Sequence, residues 1–386
     1  MKIALLIFLI MPTLAFSQYQ VQFQEISFVQ ALQKSSVTHK PVFFMGYASW
    51  CEHCKYMKEQ VFTDSAVAGF LNQHFVSFKI DMEKGEGIAL AKKLAVKSLP
   101  TLIFLDSSGN TLYRIVGEWK KDDFLIQAKN ALTPELQLPY LRKQYESDKS
   151  NPEKCYPYIR ALRRGNMDVQ QVADEYFLTQ SDSQLLSEIN WKILANGEFD
   201  ITSHPFKFLI AHQKEFAAIT SPERVERKLL GTVAEVLSPL ITNKDSLKYF
   251  ELKSAAVAIR DYKIDSLLFT MDITLMESTG NWSGYQKVTS ESVTKYLWQD
   301  YVQLKNICDQ YLKHITDLKA LIAATEWASR TVQLHEDYGT WLLCSRLYLK
   351  AGKKPEAFQM AQKAKNTAVK NGWSTDEADV LLKQTQ

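Results

Sequence analysis

The chain has 386 residues, with 46 Lys and Arg against 43 Asp and Glu and a net charge of +3. That balance, without an arginine-rich run or a basic–aromatic strip, argues against nucleic acid as a partner. The length and an apolar content of 46% imply two or more globular cores, and five cysteines, one close pair and three scattered, do not make a disulfide scaffold. The first element is an address. Lys2, the apolar run Ile3–Met11, Pro12 and the small residues Ala15 and Ser17 read as a secretory signal peptide over 1–17. The apolar run is shorter than the roughly 20 residues a membrane span needs. The alternatives are an uncleaved anchor or a buried first strand. No cysteine follows the run, so lipid anchoring is not suggested, and no later segment reads as transmembrane. The protein is therefore expected outside the cytoplasm, in the periplasm or secreted.

Residues 18–134 alternate between strand-like and helix-like stretches. Tyr19–Phe23 alternates with period two and predicts a first strand, and Ser27–Lys34 predicts a short helix. Pro41–Met45 is a continuous apolar run, the mark of a strand buried on both faces. Cys51–Gln73 predicts a helix broken near Thr63-Asp64, with Asp64 as a cap. Phe75–Ile80 predicts a strand, Gly87–Leu94 a helix and Thr101–Leu105 a strand. Ser107–Asn110 predicts a turn and Thr111–Val116 its hairpin partner, before a closing helix over Lys121–Leu132. Such an order implies a sheet with helices on both faces. Asp81, after a strand, reads as a strand-end or cap residue.

Between the second strand and its helix lies Trp50-Cys51-Glu52-His53-Cys54-Lys55. A helix start stabilises a thiolate through its unpaired N–H groups and its dipole, and the thiolate is the reactive form of cysteine. Two intervening residues let one turn bring Cys54 within bonding reach of Cys51, so the pair can switch between dithiol and disulfide. A zinc site would need about four ligands, and no second Cys-x-x-Cys pair exists to supply them; no metal is expected. A purely structural disulfide is the other alternative. A cationic His53 would stabilise the Cys51 thiolate and make the pair more oxidising, Lys55 would add positive potential, and Glu52 would act in the opposite sense.

Further on, Ser98-Leu99-Pro100-Thr101 places a proline directly before an apolar strand. It cannot donate a ladder bond, and a cis peptide there would make a tight entry to the strand. With the Trp50–Lys55 motif and the glycine-containing hairpin, this segment resembles the thioredoxin superfamily, most closely its secreted bacterial members. The resemblance covers about residues 20–134. It implies an α/β thioredoxin fold, a central mixed sheet flanked by helices. It also implies that Cys51 is an exposed nucleophile and Cys54 a buried resolving thiol, that Pro100 is cis and faces the sulfurs, that the backbone of Leu99 pairs with an extended substrate segment, and that Trp50 forms part of the contact surface. No dissociable cofactor is implied, since electrons pass through the Cys51–Cys54 pair. One position departs from the pattern: where cytoplasmic thioredoxins carry a buried aspartate six residues before the first cysteine, this chain has Met45. Glu52 and Glu59 are near in sequence, and neither is expected to replace it. The motif brackets a reduction potential of roughly −270 to −120 mV, which leaves reductase, isomerase and oxidase open.

Beyond Pro134 strand-like alternation gives way to helical spacing, and 135–386 reads as a larger all-α domain. Amphipathic segments cover Gln170–Thr179, Ser183–Asn196, Pro222–Leu237, Asp245–Asp261 and Ser290–His314. Trp341, Tyr348, Ala357, Ala361 and Ala364, with a turn at Gly352–Pro355, resemble a tetratricopeptide repeat. Ala323 and Trp327 stand one repeat length upstream, so repeat character is most evident over 305–370. Such helix pairs often form a concave surface for protein or peptide; the alternative is a domain that only packs on its neighbour. Trp282, Trp298, Trp327, Trp341 and Trp373 read as core residues, and Cys155, Cys308 and Cys344 as buried apolar ones. The combined expectation is an exported thiol–disulfide oxidoreductase acting on cysteines of extracytoplasmic proteins, with the helical domain recruiting a substrate or redox partner. The rival is a non-catalytic or redox-sensing interaction scaffold.

Overall fold

A computed structural model describes residues 20–386; the leader read over 1–17, and Tyr19, lie outside the described residues. The elements that build the site are α1 (Phe28–Thr38), β1 (Val42–Tyr47), α2 (Glu52–Tyr56), α3 (Ser65–His74), β2 (Val76–Asp81), α4 (Glu86–Lys93), β3 (Thr101–Leu105), β4 (Thr111–Val116) and α5 (Lys121–Asn130). The strands form one mixed sheet in the order β2-β1-β3-β4, with β1 parallel to β2 and antiparallel to β3, and β3 antiparallel to β4. Successive side chains of a strand point to opposite faces, and both faces here are apolar. Phe43, Met45, Leu102, Phe104, Tyr113 and Ile115 pack with residues of α2, α3 and α5. Val42, Phe44, Phe78, Ile103 and Leu105 pack with residues of α1 and α4. This double burial is why β1 and β3 read as unbroken apolar runs.

Local signals set several boundaries. Asp64 caps α3, its Oδ1 accepting from the N–H groups of Ala66 (3.0 Å) and Val67 (3.2 Å). The hydrogen bond from Lys121, with help from those amides, holds its carboxyl below the usual range. The helix predicted from Cys51 does break there, but it also widens into a π-helical turn over Met57–Val61. In the β3–β4 turn Asp106 Oδ1 accepts from Ser108 and Asn110 N–H, and Gly109 has φ +85°, a conformation natural to glycine.

The strand predicted over Tyr19–Phe23 does not form in its described part. Residues 20–23 lie in no strand, and only Gln24 makes a bridge, parallel, to Phe78. The segment's polar backbone is satisfied elsewhere: Val21 N–H donates to Phe62 O, Gln22 N–H to Asn72 Oδ1, and Gln20 O accepts from Asn72 Nδ2. Once helix-end and side-chain groups take these bonds, the period-two pattern has no ladder to join.

Five helices follow: α6 (Leu138–Ser147), α7 (Pro152–Arg164), α8 (Gln170–Phe177), α9 (Asp182–Leu185) and α10 (Glu188–Gly197). The change of composition near 134 is not where packing divides. The first compact unit runs through Glu198 and takes in 212–221; the second comprises 199–211 and 222–386. The reason lies on β4. The Arg164 guanidinium of α7 sits 3.9 Å above the Tyr113 ring, and Gly165 lies against the Arg114 side chain. The predicted helix over Ser183–Asn196 is two helices, because the Ser187 hydroxyl caps α10 by accepting from Asn190 N–H.

The remaining helices are α11 (His204–Ala211), α12 (Gln213–Ile219, in the first unit), α13 (Pro222–Thr242), α14 (Ser246–Val257), α15 (Tyr262–Thr279), α16 (Trp282–Tyr296), α17 (Tyr301–His314), α18 (Leu318–Leu334), α19 (Tyr338–Lys350), α20 (Lys354–Asn371) and α21 (Asp376–Thr385). The helix predicted over Ser290–His314 is likewise interrupted; Asp300 caps α17 through Gln303 N–H. A short link leaves the 3.6-residue apolar rhythm intact on either side, so periodicity alone runs through it. One cluster in the second unit gathers Cys308, Tyr311, Trp327, Trp341, Cys344, Ala361 and Ala364. Gly352, at φ +75°, turns the chain between α19 and α20, and the alanine face of α20 is fully buried. Cys155, Cys308 and Cys344 are all buried. Trp373 departs from the core reading: it is 53% exposed, edge-on to Tyr338, because it follows the end of α20 at Gly372. Asn281 is the cap of α16.

Candidate active site

The C-terminal end of β1 delivers the chain to the motif. Cys51 is the N-cap of α2, with extended backbone (φ −77°, ψ 109°), and its sulfur accepts from the Cys54 N–H at 3.3 Å. Lys55 N–H closes the first turn on Cys51 O at 3.0 Å. The Cys51 sulfur thus faces an amide donor at the positive end of a helix. Both cysteines are free thiols and both lie in the buried cluster of the α2–α3–α5 face. Cys51 keeps 6% exposure and Cys54 none. The nucleophile implied by resemblance is therefore less open than expected: its side chain packs into the core cluster and only its edge reaches solvent.

Burial pushes the Cys54 thiol up to about 12, reinforced by its hydrogen bond with Cys51; a backbone hydrogen bond at Ala48 and the Lys58 charge oppose the shift. No carboxylate figures among these influences. Met45 is fully buried in the same cluster, and Glu52 and Glu59 are exposed, so none of the three supplies an acid at the position the departure leaves empty.

The second half of the site comes from β3. Gly46 of β1 is paired with Thr101, which sets the residues preceding β3 beside the end of β1. The Leu99–Pro100 peptide is cis, and Pro100 O accepts from Gly117 N–H at 2.8 Å. Leu99 is half-buried and packs against the cluster that contains both cysteines. Its own N–H and C=O make no hydrogen bond among the described residues. An unpaired, partly exposed backbone at the head of a strand can pair with an extended peptide.

Two acidic partners were not anticipated. His53 Nδ1 lies 2.9 Å from Glu118 Oε2, and Trp50 Nε1 donates to Glu83 Oε2 at 2.8 Å. Trp50 is 67% exposed, so its indole edge is held while its face stays free. Glu118 follows Gly117 (φ +86°) in the loop after β4, and nothing local in the sequence marks it; only sheet topology brings it to α2. Asp81 is the last residue of β2, in line with the strand-end reading, and its Oδ1 accepts from Glu83 N–H. Among the described residues no three His, Cys, Asp or Glu side chains come together as a metal centre.

The His53–Glu118 pair bears on redox poise. His53→Ala should lower the reduction potential of the Cys51–Cys54 pair, because it removes a polar ring, paired with Glu118, from the motif between the two sulfurs. The pair is exposed, so the shift should be only about 10–20 mV, from the range of surface ion pairs. Equilibration of the variant in glutathione buffers measures it; an unchanged or raised potential would remove His53 as a tuning residue.

A family model for the thioredoxin-like domain matches residues 28–132. Those residues belong to the thioredoxin superfamily. The thiol:disulfide interchange protein DsbD of Ralstonia nicotianae is 30% identical over 118 residues, 29% of this chain and 19% of that protein. DsbD of Yersinia pestis is 32% identical over 115 residues, 28% of this chain and 19% of that protein. The chain thus spans about a fifth of the length of the curated relatives it matches. Among solved structures, a putative disulphide-isomerase from Bacteroides thetaiotaomicron is 42% identical, covering 29% of this chain and 93% of that one, with a TM-score of 0.28. A DsbH oxidoreductase is 24% identical, covering 32% of this chain and 92% of that one, with a TM-score of 0.27. Over residues 28–132 the four-stranded mixed sheet with helices on both faces agrees with the expected fold class.

Proposed function

We propose that the protein is an exported thiol–disulfide oxidoreductase that exchanges the Cys51–Cys54 dithiol or disulfide with cysteines of extracytoplasmic proteins. The observation that carries this reading is the sulfur pair itself: Cys51 caps a helix with an amide hydrogen on its sulfur, and Cys54 is buried one turn behind it. In the reducing direction the Cys51 thiolate attacks one sulfur of a substrate disulfide and expels the other as a thiolate, which takes up a proton. Cys54, deprotonated, then attacks the Cys51 sulfur of the mixed disulfide and expels the second substrate thiolate. Two electrons have passed to the substrate and a Cys51–Cys54 disulfide remains; the reverse sequence oxidises a substrate dithiol. The pair is its own redox carrier, so no dissociable cofactor is required. Trp50 and the unpaired backbone of Leu99 would contact the substrate chain around its cysteine.

Export rests on the leader read over 1–17, and the printed names of the relatives support the chemistry. No helix among the described residues is long and apolar enough to cross a membrane. The tetratricopeptide-like hairpins of α17–α20 would recruit the substrate or redox partner. Equilibration of the full chain in glutathione buffers tests the reading. A potential near about −270 mV assigns a reductase and one near about −120 mV an oxidase. A pair that never exchanges with glutathione would sink the proposal and turn attention to the helices as a scaffold.

A further inference from the structure

The segment that carries Leu99 and Pro100 is held from outside the family domain. Arg114, on β4 opposite Ile103, is 3% exposed and donates Nη1 to Leu94 O (2.6 Å) and Nη2 to Ala95 O (2.9 Å). These bonds anchor the start of the α4–β3 loop, where Ala95 has φ +47°. The C-terminal end of α7 closes over the same place. A Cβ on Gly165 would stand 3.2 Å from Arg114 Cβ and Cγ, and that side chain cannot give way while its guanidinium is bonded at both ends. Gly165 lets the chain pass close enough for Asn166 to reach the loop, and Asn166 Nδ2 donates to Ser98 Oγ at 3.1 Å. Ser98 O in turn accepts from Thr101 Oγ1 at 2.6 Å. The two residues between these fixed points are Leu99 and Pro100.

We propose that Asn166, which lies beyond the family-matched segment, is a positioning residue for the substrate-pairing backbone of Leu99, acting through Ser98. The inference rests on the oxidoreductase reading. Asn166 touches neither sulfur and takes no part in electron transfer; it sets where an incoming peptide finds its backbone partner. A binding surface must be held to about half an ångström for its geometry to be productive, and a loop tethered only at its start by Arg114 would leave the Leu99 end free to shift. The first helices after the sheet are therefore part of the catalytic unit.

The test uses the full chain, with dithiothreitol-driven reduction of insulin disulfides as the substrate reaction and glutathione equilibration as an independent measure of the sulfur pair. Asn166→Gly removes the side chain without adding strain, since φ is +50° at this position. Ser98→Ala removes the acceptor. Each should raise KM for insulin about three- to tenfold, the range expected for one hydrogen bond, with kcat within about twofold and the reduction potential unchanged. The double variant should be no worse than either single one. Asn166→Asp, which can accept from the Ser98 hydroxyl, should restore KM. If active wild-type protein and both variants share one KM, or if kcat and potential fall together with melting temperature, the positioning role is overturned. Wild-type protein inert towards both insulin and glutathione would instead remove the oxidoreductase reading, and this inference with it.

Discussion

Cys51→Ser should reduce disulfide exchange to the uncatalysed rate, whereas Cys54→Ser should stop it halfway. The asymmetry follows from the two environments. Cys51 stands at the helix cap with the Cys54 N–H on its sulfur and retains the pair's only exposure, so attack begins there. Cys54 has no access to a substrate and serves only to break the bond that Cys51 forms. In Cys54→Ser the mixed disulfide has no internal thiol to resolve it and should accumulate to one substrate per chain, visible as a reductant-sensitive adduct by mass spectrometry. No adduct with Cys54→Ser, or an equal adduct with Cys51→Ser, would reverse the assignment. The same Cys51 variant tests the scaffold reading, because a protein that works only through its helices should keep its biological activity.

The second large effect concerns the proton on Cys54. With the thiol pushed up to about 12 by burial and by Cys51, little thiolate exists at neutral pH. The step in which Cys54 attacks the mixed disulfide should therefore accelerate close to tenfold per pH unit through the range where an ordinary thiol, with pKa near 8.5, would level off. The linked stability has a defined sign. The unfolded chain releases this proton near 8.5 and the folded chain only near 12, so the contribution is intact below about 8.5. It is lost as pH rises towards 12, at up to about 1.4 kcal/mol per unit. Met45→Asp would place a carboxylate in the same buried cluster. At pH 7 it should speed release of the mixed disulfide by roughly a hundredfold, at the low end of general-base effects. It should also cost a few kcal/mol of stability, because the group is buried. Rapid-quench measurement of release, with denaturant unfolding in parallel, reads both. If Met45→Asp destabilises the protein without accelerating release, proton removal does not limit resolution.

Legibility differed from residue to residue for physical reasons. The runs Pro41–Met45 and Thr101–Leu105 announced buried strands because both faces of the sheet are covered, and Asp64 announced a cap because its carboxylate satisfies two helix-start amides. Cys51 and Cys54 were legible because their spacing is local and their chemistry is tied to a helix start. Tyr19–Phe23 misled because alternation describes side chains, whereas a strand also needs a free edge, and the amides of Val21 and Gln22 are taken by Phe62 and Asn72. Glu118 and Glu83 escaped notice because they meet His53 and Trp50 across 65 and 33 residues of chain. The packing division after Glu198 escaped it too: an amphipathic helix shows that it must be covered but not by what.

The sequence by itself determined the order of strands and helices from α1 to α5, the sulfur pair, the proline at the head of β3 and the helical character of the chain beyond Pro134. Each is written in contiguous residues, where backbone propensity and side-chain period act over a few ångströms. Tertiary structure alone decided that Cys51 is almost closed over, that Cys54 holds its proton to about 12, that His53 meets Glu118, and that the end of α7 reaches the loop of Leu99 and Pro100. Burial and long-range hydrogen bonds depend on which surfaces meet, and that is settled only when the whole unit packs.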